Sequence, residues 1–321
     1  MGRYAAQRAL QAIPTLLIMS FVVFVLVRMA PGDPAELKMG REASLPENKP
    51  RLEALRREMG LDKPIPVQYV LWLRDSATGN FGESVRSGQP AMDLVASKLP
   101  ASLELLAGAS LLALLIAFPG GLLAAVHRGS PLDRLVMGFS AAGLAVPGFW
   151  LGLTLILLFS VSLKVLPPGG YMPLQEEPVE NLKRLVMPAF VLGVYLSATL
   201  MRFLRADMIE VLAADYIRTA RAKGLRERGV IVTHALKNAL IPVVTIAGIE
   251  IGHLVGGAVI VEQVFGWSGM GWLTVQAIFD RDYPVVQASV LLIGTSLIVT
   301  SLLVDLAYAF LNPKMRAQLG G

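Results

Sequence analysis

Residues Leu105 to Val126 read LLAGASLLALLIAFPGGLLAAV, a run without an ionisable group. An α-helix rises 1.5 Å per residue, so about 20 apolar residues cross the roughly 30 Å hydrocarbon layer of a bilayer. This run is long enough. Five others are of the same kind: Ala9 to Val27, Leu135 to Leu163, Leu185 to Met201, Ala239 to Val261 and Tyr283 to Val304. Leu185 to Met201 is the shortest, but Arg184 and Arg202 flank it and can reach the interfaces while their stems stay in lipid. Overall, 54% of residues are hydrophobic and 17% charged, with a mean hydropathy of +0.58. Soluble domains carry about a quarter charged residues. The reading is an all-α membrane protein with six transmembrane helices.

Much of the charge is confined to Pro31 to Lys98 and Arg202 to Lys237, so the net charge of +5 is not the signature of a nucleic-acid surface. The absence of cysteine excludes disulfides, thiol nucleophiles and cysteine-based metal sites. Arg3 and Arg8 precede the first span as in a signal peptide. Its apolar run is longer than a signal core, however, and passes into RMAPGDPA (28–35) without a small-x-small cleavage site, so an uncleaved anchor is expected.

Lys and Arg in short loops set orientation. With the N-terminus in the cytoplasm, fourteen fall inside: Arg3, Arg8, Arg128, Arg134, eight from Arg202 to Lys237, Lys314 and Arg316. The short outer loops hold Lys164, Lys183, Arg184 and Arg281. Both termini are then cytoplasmic. The expected layout is one transmembrane domain, 1–321, with spans at about 9–29, 101–126, 135–163, 185–204, 239–261 and 283–308, an outer segment 31–98 and a cytoplasmic loop 205–238. The outer segment carries ten basic and ten acidic residues, and its length exempts it from the charge rule. Within it, PRLEALRREMG (50–60) predicts a short amphipathic helix, with Pro50 in its first turn, Leu52, Leu55 and Met59 on one stripe, and Gly60 at its stop.

The cytoplasmic loop contains DYIRTARAKGL (215–225). Ile209, Leu212, Ala213, Tyr216, Ile217 and Ala220 fall on one helical face, with Arg218 and Arg221 pointing elsewhere. Gly224 is placed to stop the helix as a left-handed cap. A second helix follows, with Val232, Leu236 and Leu240 in register, before the chain re-enters the bilayer near Pro242. Two readings stand: a solvated positive loop, or a docking surface whose apolar stripe packs against another protein.

These residues resemble the EAA loop of ABC-importer permeases, in the variant YxRTARAKGL...HALxNALxP of the dipeptide, oligopeptide and nickel group. The likeness to that group's B-type subunit covers nearly the whole chain: AIPTLL (12–17), APGDPA (30–35), GLDKPIPVQYVLWL (60–73), VPGFWLG (146–152), EQVFGWSGMG (262–271) and DRDYPVVQASVLL (280–292). The chain departs from the general EAA pattern at Arg218, where many permeases have Glu, and at Thr219, where Ala is usual, so no role of that Glu transfers. The resemblance implies a type I ABC importer permease fold in a prokaryotic inner membrane. It also implies a second homologous permease, two cytoplasmic ATP-binding subunits that use ATP and Mg, and an extracytoplasmic solute-binding protein. In such permeases the loop is a coupling helix seated in a groove of the ATPase. Carried over, that gives Asp215, Arg218, Thr219, Ala220, Arg221, Lys223 and Gly224 as the coupling residues, Ala220 and Gly224 allowing close approach and Arg218, Arg221 and Lys223 making polar contacts. The segment Pro31 to Lys98 and the turn around Gly266 are implied contacts for the binding protein. The resemblance leaves the cargo open among peptides, glutathione, nickel chelates and some sugars.

The chain has no G-x-x-x-x-G-K-[ST] to cradle ATP and no H-E-x-x-H, and His127, His234 and His253 are too scattered for a metal site, so no catalytic residue, cofactor or metal is assigned to it. GWSG (266–269) matches the G-x-S-G of rhomboid-type intramembrane proteases, but no histidine follows His253 to serve Ser268; Gly266, Gly269 and Gly271 are read as a tight outer turn. Glu250 and His253 form an i, i+3 pair well inside the fifth span, where charge is costly and usually faces a cavity or a partner. Lining a transport path and pairing within a subunit interface are both open to them. Glu104 is read as lying in the first turn of its span, where a helix N-terminus favours an anion. Pro119 with Gly120 and Gly121, Pro147 and Pro188 are expected to interrupt three spans and to mark packed or path-lining faces. The reading from another class, an ion-coupled secondary transporter working without an ATPase, predicts inverted repeats and more intramembrane charge.

The cysteine-free sequence makes the orientation directly testable. A cysteine placed at Arg218 should react with a membrane-impermeant maleimide only after cells are opened, and one placed at Ser44 should react in intact cells or spheroplasts. The reverse pattern contradicts the charge-derived topology.

Overall fold

The computed structural model describes residues 2–29 and 32–311, with side chains described at 10–29, 32–40 and 42–303. The side chains of Arg3 and Arg8, residues Ala30 and Pro31 of APGDPA, and Lys314 and Arg316 lie outside the described residues. The helices are α1 Gly2–Met29, α2 Pro34–Met39, α3 Lys49–Glu58, α4 Ile65–Ala77, α5 Ala91–Val126, α6 Pro131–Ala145, α7 Gly148–Leu155, α8 Pro178–Leu212, α9 Asp215–Ala222, α10 Glu227–Gly229, α11 Lys237–Phe265, α12 Met270–Phe279 and α13 Tyr283–Leu311. Two π-helical segments, Ile156–Ser162 and Val230–Leu236, extend α7 and lead into α11. Among the described residues the β-structure is limited to an isolated bridge between Glu83 and Pro90.

Among the described residues, 5 helices can cross a membrane by length and composition, and a sixth span arises if α6 and α7 with its π extension count as one. That pair is bent by 103°. Val146-Pro147-Gly148 causes the bend: proline has no N–H to continue the helix and excludes the α conformation from the residue before it. Val146 accordingly lies at φ −81°, ψ 123°. The other two expected interruptions do not occur. α5 runs unbroken through Pro119, and α8 through Pro188.

The chain divides into two compact units. The first comprises, of the described residues, Ala101–Ser268 with 2–8 and 297–311. Its centre is α8: 67% of its most apolar window is buried, against 17 to 33% for the other continuous spans. Gly120 and Gly121 are a packing seam against α8, since a Cβ on Gly121 would lie 3.1 Å from the Met201 carbonyl oxygen. α6 is tied to α8 twice. Ser140 Oγ donates to the Ala198 carbonyl at 2.7 Å, and Arg205 donates to Asp133 through Nε at 2.6 Å and Nη2 at 2.7 Å. Asp133 also accepts from Gly129 N, while its own N–H is capped by Ser130 Oγ at the helix N-terminus. The carboxylate is 5% exposed, so its charge is compensated almost entirely by these donors.

The second unit comprises Ala9–Pro100 and Gly269–Ser296. α3 forms with Pro50 in its first turn, Leu52 buried, and Gly60 at φ +66° just beyond its end. α2 and α4, which the sequence reading left out, also lie within 31–98. Arg56 reaches back from α3 to Asp33 and Glu36 of the α2 start. An aromatic group of Phe21, Phe24, Tyr69, Trp72 and Phe81 ties α1 to α4, and Asp282 accepts from Ser84 Oγ and Val85 N.

Asp133→Ala should destabilise the chain by about 3 kcal/mol, because it strands a half-buried guanidinium. A second change, Arg205→Leu, should recover part of that loss. Thermal unfolding in detergent of the two single variants and the double variant checks this; strictly additive effects contradict the coupling.

Candidate functional site

α9 is an eight-residue helix that could not persist alone. It is held by two side chains, Ile217 and Ala220, buried with Val230, Ala235 and Ala239 in the core of the first unit. Its end is a left-handed glycine cap: Gly224 has φ +77°, its N–H donates to the Arg221 carbonyl, and Leu225 N donates to the Ala220 carbonyl. Ile217 and Ala220 are therefore satisfied within the chain, while other members of the apolar stripe are not fully covered. Ile209 and Leu212 belong to the end of α8 and are partly buried, Ala213 is exposed beyond it, and Tyr216 is 45% exposed, its hydroxyl accepting from Asn238 Nδ2 at 3.0 Å.

The outward face is polar. Asp215 and Arg218 pair at 2.8 Å with side chains 91% and 74% exposed, and Thr219, Lys223 and Gly224 are exposed beside them. Asp215 sits in the first turn, where the helix N-terminus favours an anion. Arg221 is engaged elsewhere: Nε and Nη2 donate to Glu227 at 3.1 and 2.7 Å, and these bonds push its guanidinium pKa up. The pair closes the turn between α9 and α10. The expected second helix is present, but Val230–Leu236 is a π turn, and its buried residues Val230 and Ala235 are five apart. That wider step leaves Val232 exposed, while Leu236 and Leu240 are partly buried.

Pro147 and His253 come together on the wall of a cavity of 490 Å³ in the first unit, with Val191, Tyr195, Leu254 and Ile260. His253 is 70% exposed. Glu250 stands behind it rather than on the wall, 17% exposed, its Oε2 3.6 Å from His253 Nδ1 and without a hydrogen bond. The walls are otherwise largely apolar.

At the far end of α11, roughly 40 Å from α9 at 1.5 Å per residue, lies a polar cluster that the sequence reading did not assemble. Glu262 is buried and accepts from Ser102 Oγ at 2.6 Å. Trp267 is fully buried, donates through Nε1 to the Ala101 carbonyl at 2.8 Å, and stacks edge-on against Tyr171. Glu104 accepts from Asn181 Nδ2 and the Tyr171 hydroxyl. α5 starts at Ala91, so Glu104 is mid-helix and is not an N-terminal anion. Gly266 is left-handed at φ +58°, as a tight turn requires, but Gly269 caps α12 and Gly271 is a buried residue within it. The cluster's signal was EQVFGWSGMG, whose Glu and Trp are too costly to bury without partners. Among the described residues no group of three or more His, Asp and Glu side chains is placed to hold a metal.

Residues 117–317 match the family described as the binding-protein-dependent transport system inner membrane component, and residues 1–106 match its N-terminal component. The oligopeptide transport system permease AppB of Bacillus subtilis is 41% identical over 318 residues, covering 98% of this chain and 99% of AppB. The glutathione transport system permease GsiC of Escherichia coli K12 is 40% identical over 316 residues, with the same coverage. A crystal structure of an amino acid ABC transporter with histidines shares the fold at a TM-score of 0.52 and 16% identity, over 67% of this chain and 93% of that one.

Trp267→Phe removes the indole donor to the Ala101 carbonyl, which keeps its partner within α5, and also shortens a fully buried ring; the lost hydrogen bond alone should cost about 1 kcal/mol. Thermal unfolding checks this, and an unchanged midpoint contradicts a role for the indole N–H.

Proposed function

We propose, on the premise that the chain belongs to the family of inner-membrane components of binding-protein-dependent transport systems, that it forms half of the translocation path of an ATP-driven importer for peptides or related small solutes. A secondary transporter working alone does not fit that membership. The chain carries no catalytic residue; ATP and Mg are used by two cytoplasmic ATP-binding subunits, beside a second homologous permease and an extracytoplasmic solute-binding protein. Both termini and the 205–238 loop face the cytoplasm. Peptides are the favoured cargo because AppB is named as an oligopeptide permease and GsiC as a glutathione permease, glutathione being itself a small peptide.

One observation carries the coupling assignment. α9 spends its apolar residues on its own core and turns Asp215, Arg218 and Thr219 outward. A short helix bound this way moves with the spans it joins, so force applied to its outer face reaches α8 and α11. Arg218, Thr219, Lys223 and Gly224 are the residues that meet the ATPase. Arg221 supports them by closing the turn, and Ala220 seats the helix. The cavity that joins Pro147 and His253 is a stretch of the solute path, with Glu250 behind it. The outer segment 31–98 receives the binding protein; the Gly266 turn contributes little, because Trp267 is buried.

Gly224→Val places a side chain in the left-handed region, at a local cost of about 1–3 kcal/mol. The importer should still assemble and hydrolyse ATP at its basal rate, while stimulation by loaded binding protein and solute uptake fall at least tenfold. Uptake and stimulated hydrolysis in proteoliposomes measure this; full retention of both, or purified wild-type chain that brings down no ATPase, contradicts the assignment.

A further inference from the structure

His253 lines the 490 Å³ cavity of the first unit and leaves most of its side chain uncovered, although it lies well inside the α11 span. A polar side chain at such depth faces a water-filled space or a partner rather than lipid. The helix surface beside it is bare, since a Cβ on Gly252 or Gly256 would meet nothing within 4 Å. α8 and α7 add Tyr195 and Phe149 to the same cavity, 47% and 51% exposed. These side chains are therefore open to whatever enters it.

The electrostatics of the wall have one sign. No Lys, Arg, Asp or Glu lines it. Behind it stands Glu250, its Oε2 3.6 Å from His253 Nδ1. With the carboxylate ionised, the pair carries −1 beside a neutral imidazole and 0 beside a protonated one, and in neither state is it positive. A carboxylate of the cargo finds no cation here. An ammonium finds three attractions. Glu250 acts on it through space, because its Oε2 is covered and touches nothing in the cavity. His253 turns Nδ1 to Glu250, which leaves Nε2 as the nitrogen free to accept from an N–H. The rings of Phe149 and Tyr195 add the pull that aromatic faces exert on cations.

We propose that this wall is a passing point for ammonium groups of the cargo, so that the importer moves peptides with basic side chains faster than peptides with acidic ones. His253 makes the contact, and Glu250 is a positioning residue that holds the imidazole and supplies the field. The inference rests on the transport reading and deepens it, by giving this chain a preference of sign that is separate from capture by the binding protein.

The test uses the assembled importer in proteoliposomes with the tripeptides Ala-Lys-Ala, Ala-Gln-Ala and Ala-Glu-Ala, each at a concentration that saturates the binding protein, so that differences in capture cancel and the maximal uptake rate reports the path. The wild type should move the lysine peptide about fivefold faster than the glutamate peptide, with the glutamine peptide between them. Glu250→Gln, which keeps the shape, should bring that ratio to within about twofold, and Glu250→Asp should restore most of it. His253→Leu should lower it as well. Each complex is its own control, because the ratio is unaffected by how much of a variant assembles. Equal wild-type rates for the lysine and glutamate peptides, or a Glu250→Gln complex that keeps the wild-type ratio, overturn the proposal while leaving the transport reading in place. Uptake of none of the three by the wild type contradicts the peptide reading, and the inference falls with it.

Discussion

Ile217 and Ala220 are two small anchors, yet the account of this molecule depends on them. They hold an eight-residue helix that has no means of forming by itself against the core that α8 and α11 share. Because the anchors point inward, the polar face of α9 stays exposed, and because they are buried, that face cannot shift without its support. The glycine cap at one end and the Arg221–Glu227 pair across the next turn remove the remaining slack.

The membrane places a second constraint on the same unit. A backbone group left bare in hydrocarbon is expensive, so departures from α-helix survive only where protein or water answers them. The Pro147 bend borders the 490 Å³ cavity and a π turn extends the helix after it, while a second π turn lies beneath α9, in the 205–238 loop. π turns recur at functional sites because the extra residue redirects side chains without ending the helix. Here the five-residue step from Val230 to Ala235 is what turns two small side chains toward Ile217 and Ala220.

Much of this was legible in the sequence because lipid imposes a length and a polarity that a chain must meet. The apolar runs mark the spans, Gly224 marks the cap, and Pro50 and Gly60 bracket α3. What could not be read depended on partners distant in sequence. Pro119 and Pro147 look alike along the chain, but α5 runs on through Pro119 while the helix pair is bent by 103° at Val146-Pro147. Glu104 looked like an N-terminal anion until the helix proved to begin at Ala91. The apolar face of α9 was visible, but nothing local says whether such a face seeks the same chain or another. Glu262 and Trp267 were within a recognised motif, and their partners Ser102 and Ala101 lie about 160 residues away. Asp133 carried a usable local signal, the capping sequence Ser130-Pro-Leu-Asp133, but its partner Arg205 did not.

The most direct measurement is site-specific cross-linking in the assembled importer. Photoreactive side chains are placed one at a time at Arg218, Thr219 and Ile217, and the products are identified by mass spectrometry. The account predicts adducts to the ATP-binding subunit from Arg218 and Thr219, and only intrachain adducts from Ile217. ATPase adducts from Ile217 with none from the two exposed positions would show that α9 faces the other way, and the coupling account would fail.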